Sequence, residues 1–183
     1  MKLMPYQRKL ILFIACSLDG YIATADESLD WLESVEGEGD NGYAAFYETV
    51  DTVVMGRKTC DWIKKLNLTE FPYAGKACYV FSRTRSGRTD EVTWVNEDPV
   101  PFINRLKEAP GRNIWLVGGG NLLQAMTAHD LVDEYIVTIA PVILGGGIPL
   151  FPTGTRTVNL ELVSTKSFNQ FTELHYKKMA ETP

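Results

Sequence analysis

Histidine and cysteine are scarce: His129 and His175 are the two histidines, and Cys16, Cys60 and Cys78 the three cysteines. The histidines lie far apart and no cysteines stand in C-x-x-C spacing, so no zinc-ligand pattern is visible and no metal is expected. The H-x-E…P-C-x-x-C signature of zinc deaminases is missing too, which removes that chemistry. An odd, sparse cysteine set reads as reduced thiols of a cytoplasmic protein, not as a disulfide framework. There is no basic excess. Eighteen Lys and Arg face 23 Asp and Glu, a net charge of -5, so nucleic acid is not an expected partner. No apolar run approaches the ~18 residues of a membrane span, so no membrane is expected either. Lys2, Arg8 and Lys9 precede Leu10–Ala15 and Cys16 in the manner of a lipoprotein leader. That apolar run is shorter than the roughly 7–15 residues of a leader's core, so secretion is not expected.

What is present suits one globular domain over residues 1–183, with 45% hydrophobic and 22% charged residues. Leu10–Cys16 is continuously apolar, as a strand covered on both faces would be. Thr52–Met55, Ala77–Phe81, Val92–Val95, Ile114–Val117 and Tyr135–Ala140 read as further strands. Tyr43–Val50, Thr59–Leu66, a segment ending before Pro110 with Phe102, Ile103, Leu106 and Ala109 on one face, and Leu122–His129 read as helices. Alternation of the two predicts an α/β fold, a mostly parallel central sheet with flanking helices. Glu161–Lys166 and Thr172–Lys177 alternate in polarity around Phe168–Gln170 and predict a C-terminal antiparallel hairpin. The long loops Asp26–Asn41 and Leu66–Lys76 are candidates for function.

Three strand ends carry chemistry. Met55-Gly56-Arg57-Lys58-Thr59 joins a strand to a helix, where glycine admits a ligand to the backbone and free N–H groups attract an anion. By itself it is equally a helix start with surface Arg and Lys. Val117-Gly118-Gly119-Gly120-Asn121-Leu122 repeats the pattern, and bare glycine backbone suits a pyrophosphate. It is not the Rossmann fingerprint, because Leu123 occupies the third glycine position. Val80-Phe81-Ser82-Arg83-Thr84 ends a strand with a hydroxyl and a cation but no acid, which favours a 2′-phosphate over a free ribose. Together the three ends could hold one dinucleotide.

These motifs, with Ser17-Leu18-Asp19-Gly20-Tyr21-Ile22-Ala23 and Ala140-Pro141-Val142-Ile143-Leu144-Gly145-Gly146-Gly147, resemble the dihydrofolate-reductase-like superfamily. More specifically, they are similar to the reductase domain at the C-terminus of the riboflavin-biosynthesis deaminase–reductase. The resemblance implies a dihydrofolate-reductase-like fold and NADPH-dependent hydride transfer to a small heterocyclic or sugar-derived substrate, as in 5-amino-6-(5-phosphoribosylamino)uracil reduction. By carry-over, Gly56, Arg57, Lys58 and Thr59 hold cofactor phosphates, and Ser82, Arg83 and Thr84 meet the adenosine 2′-phosphate. Val117, Gly118, Gly119, Gly120, Asn121 and Leu122 wrap the pyrophosphate. Ala15, Leu18, Gly20 and Ile22 touch the nicotinamide. The resemblance also implies a cis peptide at Gly118–Gly119 and a homodimer whose contact lies near Gly145–Gly147.

For the proton, Asp40 stands 16 residues before Gly56, the spacing of the dihydrofolate reductase acid. Matching through Phe46 puts Gly42 there instead. Asp19 and Asp30 are rival acids in loops. Thr138 resembles a substrate-side threonine, while Trp31 and Phe46 are candidate substrate contacts. Each of these acids could equally be a solvated loop carboxylate or helix cap, Thr138 a strand residue chosen for packing, and Trp31 a packing anchor. A dihydrofolate or pterin reductase and a catalytically silent nucleotide-binding sensor are the competing functions.

Overall fold

The structure is a computed structural model, and residues 6–180 are described. Its frame is a nine-stranded sheet in the order β10-β11-β8-β1-β7-β3-β4-β6-β5. The strands are β1 (Leu10–Ser17), β3 (Val50–Gly56), β4 (Ala77–Phe81), β5 (Gly87–Arg88), β6 (Thr93–Val95), β7 (Asn113–Gly118), β8 (Glu134–Ala140), β10 (Leu160–Phe168) and β11 (Phe171–Lys178). From β8 to β6 all neighbours run parallel. β11 joins β8 antiparallel and β10 closes the predicted hairpin. A separate pair, β2 (Tyr21–Ala23) with β9 (Ile148–Pro149), lies beside it.

The helices are α1 (Asp30–Glu33), α2 (Tyr43–Tyr47), α3 (Arg57–Lys65), α4 (Pro99–Glu108) and α5 (Gly120–Ala128). Successive strand side chains point to opposite faces, which explains the unbroken apolar run of β1. Leu10 and Leu12 join a core with Ile103 of α4 and Leu123 and Met126 of α5. Ile11 joins the other core, with Phe46 of α2 and Cys60 and Ile63 of α3. Arg8 is buried ahead of β1, donating to the carbonyls of Arg112 and Leu106, to Asp51 and to Thr52. It locks the start of the central strand.

Two details differ from expectation. The helix expected over Tyr43–Val50 stops at Tyr47, because Val50 is fully buried as the first residue of β3. The short elements α1, β2, β5 and β9 were not visible in the sequence, since two to four residues establish no period.

Candidate active site

In an open α/β sheet, ligands bind beyond the carboxyl ends of the strands. Here Gly56 pairs with Phe81 and Met55 with Gly118, so the ends of β3, β4 and β7 share one edge. Gly56 is the N-cap of α3 and Gly119 that of α5, and neither helix has a side-chain cap. Uncapped first-turn N–H groups are free for an anion. The Gly118–Gly119 peptide is cis, as expected, with Gly118 at φ 138°. The two turns converge: a β-carbon added to Gly119 would lie 3.4 Å from Thr59 Oγ1. Added to Gly56 or Gly118 it would meet nothing within 4 Å. These turns leave open space, and bare backbone beside two helix starts suits a pyrophosphate. Asn121 is exposed, whereas Leu122 is buried in the core, so its contribution to such a site is its backbone.

Beyond β4 the chain places cations. Arg57 and Arg85 both bond Asp61, at 2.9 and 3.0 Å, and Arg85 lies 4.8 Å from the centre of the Trp94 ring. Ser82 is buried, its Oγ accepting from the amides of Thr84 and Arg85, so it shapes the turn. Lys58, Arg83 and Thr84 are exposed along the same edge. Arg85 was missed in the sequence, although the alternation Arg83-Thr84-Arg85 carried the signal.

On the other side of β1 lies a cavity of about 450 Å³, whose walls include Phe13, Ala15, Asp40, Tyr43, Thr138 and Phe171. Phe13, Ile14 and Ala15 are only half-buried, though β1 sits between β7 and β8. A central strand exposed in its middle marks a place for a ligand. Thr138 is 8% exposed and lines this cavity. The glycine turns lie outside the cavity's walls, with Ala15 and the end of β1 between them.

The candidate acids have other partners. Asp40 accepts from the amides of Gly42 at 3.0 Å and Ala44 at 2.8 Å, holding the start of α2. Asp19 accepts from Ser17 Oγ at 2.6 Å and from the amides of Leu144 and Gly145 at 3.1 and 2.8 Å. The Ser17 hydroxyl above all, and then those amides, hold its carboxyl below the ordinary carboxylate value. An acid kept ionised is a poor proton donor near neutrality. Asp30 is exposed at the start of α1. The Asp19 bonds, with Leu18 N–H to the Val142 carbonyl and Leu150 N–H to the Gly20 carbonyl, clasp the Leu18–Ile22 loop to the 142–150 segment. Gly147 permits this, because a β-carbon there would fall 2.2 Å from the Ala23 carbonyl oxygen.

Phe46 is buried and stacked on Phe13, ring centres 4.0 Å apart, and edge-on to Trp115 at 5.4 Å. It backs the cavity wall while Phe13 forms it. Trp31 Nε1 is buried without a partner among the described residues. Burial pushes the Cys16 thiol up to about 11 and the Cys78 thiol up to about 12, so both stay protonated. Among the described residues no cluster of three metal-ligating side chains forms, and no helix is long and apolar enough to cross a membrane.

Relatives share this architecture. The family described as RibD C-terminal domain matches residues 8–173. The uncharacterised Bacillus subtilis protein YwjB is 50% identical over 171 residues, 93% of this chain and 98% of that one. A Shewanella sp. PV-4 structure provisionally assigned to riboflavin biosynthesis is 33% identical, with a TM-score of 0.85 over 94% of this chain and 99% of that one. Enterococcus faecalis dihydrofolate reductase, solved with NADP(H), is 16% identical and has the same fold, with a TM-score of 0.67 over 96% and 99% of the two chains. The glycine turns and the family match agree: this chain belongs to the RibD C-terminal domain family, on a dihydrofolate-reductase-like fold.

Proposed function

We propose that this protein is a cytoplasmic NADPH-dependent reductase of the riboflavin-biosynthesis type, acting on a small heterocycle seated in the cavity over β1. One observation carries the reading. Two uncapped helix starts, reached through glycines with open space above them, converge on one sheet edge beside a half-exposed central strand. The amides of α3 and α5, with Thr59, would hold the pyrophosphate. Arg57, Arg85 and Arg83 would meet the 2′-phosphate, with Arg57 and Arg85 exchanging Asp61 for it. NADPH, when bound, supplies the hydride, which leaves the protein to position, shield and exclude water.

In this reading Ala15, the smallest side chain of the cavity wall on β1, admits the reacting rings to van der Waals contact. The Asp19 clasp fixes the loop at the mouth, and Asp40 sets α2, which carries Tyr43 into the wall. Both carboxylates are positioning residues. The open β10 edge, with Leu162 and Val163 exposed, and the exposed Ile143 near Gly145–Gly147 favour assembly as a homodimer. A sedimentation mass of one chain at micromolar concentration would remove that part.

Calorimetric titration with NADPH and NADH tests the assignment. NADPH is expected to bind more tightly, with the preference reduced in Arg85→Ala and Arg57→Ala. Binding of neither nucleotide overturns it.

A further inference from the structure

A single acid holds the arginine pair beyond β4. Arg57 is the first residue of α3, and Asp61 stands one turn further on the same side of the helix. Arg85 reaches the same carboxylate from the turn after β4. Arg57 Nη1 donates to Oδ2 at 2.9 Å and Arg85 Nη1 to Oδ1 at 3.0 Å, so each carboxylate oxygen receives one guanidinium. The backbone under Arg85 is fixed, because the Ser82 hydroxyl accepts from the amides of Thr84 and Arg85. The Arg85 guanidinium lies on Trp94, 4.8 Å from the ring centre. Trp94 is itself anchored in β6, paired with Val80 of β4 and Gly87 of β5. Three elements therefore build this cluster.

Two guanidinium groups repel each other, and an anion between them is what brings them together. Asp61 supplies that anion. It does so without being locked in place: its side chain is 30% exposed, and those of Arg57 and Arg85 are 43% and 46% exposed. Ion pairs this open to water add little to stability, so they are readily given up. The nearby Lys64 has its own acid, Glu91, at 3.5 Å. Each arginine donates one N–H to Asp61, of the five that a guanidinium carries. Negatively charged oxygens between two guanidinium forks are also how a phosphate is held.

We infer that Asp61 sets the nucleotide specificity of this protein: in the free protein its carboxylate stands in for the 2′-phosphate of NADPH and competes with it for Arg57 and Arg85. This deepens the proposed reductase reading and rests on its placing the 2′-phosphate beside those arginines. A phosphate is close to doubly charged and a carboxylate singly, so the arginines favour the phosphate. The displaced acid remains tethered one helical turn from Arg57, where it opposes the incoming charge. NADH, with a 2′-hydroxyl, meets no such opposition. Asp61 therefore lowers the affinity for NADPH and narrows its margin over NADH. It is a positioning residue that acts through the two arginines.

The test is calorimetric titration of wild type, Asp61→Asn and Asp61→Ala with NADPH, NADH, 2′,5′-ADP and 5′-AMP. The last two differ by the 2′-phosphate alone. Neutralising Asp61 is expected to tighten NADPH and 2′,5′-ADP by on the order of tenfold, the effect of removing a unit charge a few ångströms from a phosphate in water. NADH and 5′-AMP are expected to tighten by at most about threefold, through screened long-range attraction. Alanine is the best helix former, so Asp61→Ala provides a folded neutral variant even where asparagine disturbs α3. An Asp61 that only ties α3 to the turn after β4 would lower the thermal midpoint and leave NADPH binding unchanged or weaker. That result in both variants, or equal tightening of NADPH and NADH, overturns the inference, while binding of NADPH by wild type keeps the reductase reading. Failure of wild type to bind either dinucleotide removes that reading, and the inference with it.

Discussion

Gly56→Ala should make the protein more stable and a worse binder of NADPH. Gly56 has φ -80° and ψ 159°, a conformation alanine adopts freely, and the added carbon meets nothing within 4 Å. Replacing a glycine without native strain restricts the unfolded chain and adds about 0.4–1 kcal/mol. For a domain of this size that raises the thermal midpoint by about 1–4 °C. The methyl group would fill space assigned to cofactor phosphate, and overpacking a close contact costs about 1–3 kcal/mol, roughly fivefold to 150-fold in affinity. Gly147→Ala is the counter-case. Its β-carbon would lie 2.2 Å from the Ala23 carbonyl oxygen at φ 131°, so it should lower the midpoint. Differential scanning fluorimetry and calorimetric titration read the two quantities separately. A Gly56→Ala protein that binds NADPH as wild type does would refute the claim that this space belongs to the nucleotide.

Two further outcomes follow from the same geometry. Phe46→Ala should cost about 3–5 kcal/mol in urea unfolding, the range for deleting a buried phenylalanine, because it loses the Phe13 and Trp115 contacts; a loss below about 1 kcal/mol would show that Phe46 is not a core residue. Asp19 titrates below its ordinary 3.8 in the folded state. Its ionised form therefore stabilises the clasp fully above that value, and the contribution fades as pH falls through the lower folded value. Wild type should resist proteolysis at 142–147 equally at pH 5 and pH 8, while Asp19→Asn should be cut faster at both. Equal cleavage of the two proteins would count against the clasp.

Much of the fold was legible because its signals are local. Short β-branched runs, glycine at strand ends and helix periodicity each lie within about ten residues, and the three strand ends that could hold one dinucleotide are readable from such local signals; their common edge follows from the strand register. The cavity was harder to read. Phe13, Tyr43, Thr138 and Phe171 are distant in sequence and meet only through the sheet order β11-β8-β1 and the packing of α2 on it. The exposure of Phe13–Ala15 was invisible, since an apolar strand that awaits a ligand reads like one already covered. Phe46 is a candidate only through the family resemblance, and its burial beneath Phe13 is a tertiary fact. The acids Asp19 and Asp40 were found as residues, while their partners depended on loop paths that no periodicity encodes.

The measurement that bears most directly on the central claim is a crystal structure of the protein with NADPH. Density for the pyrophosphate between the Gly56–Thr59 and Gly118–Asn121 turns, with the nicotinamide beside Ala15, is the expected result. A nucleotide bound elsewhere, or these turns left empty at saturating NADPH, would contradict it.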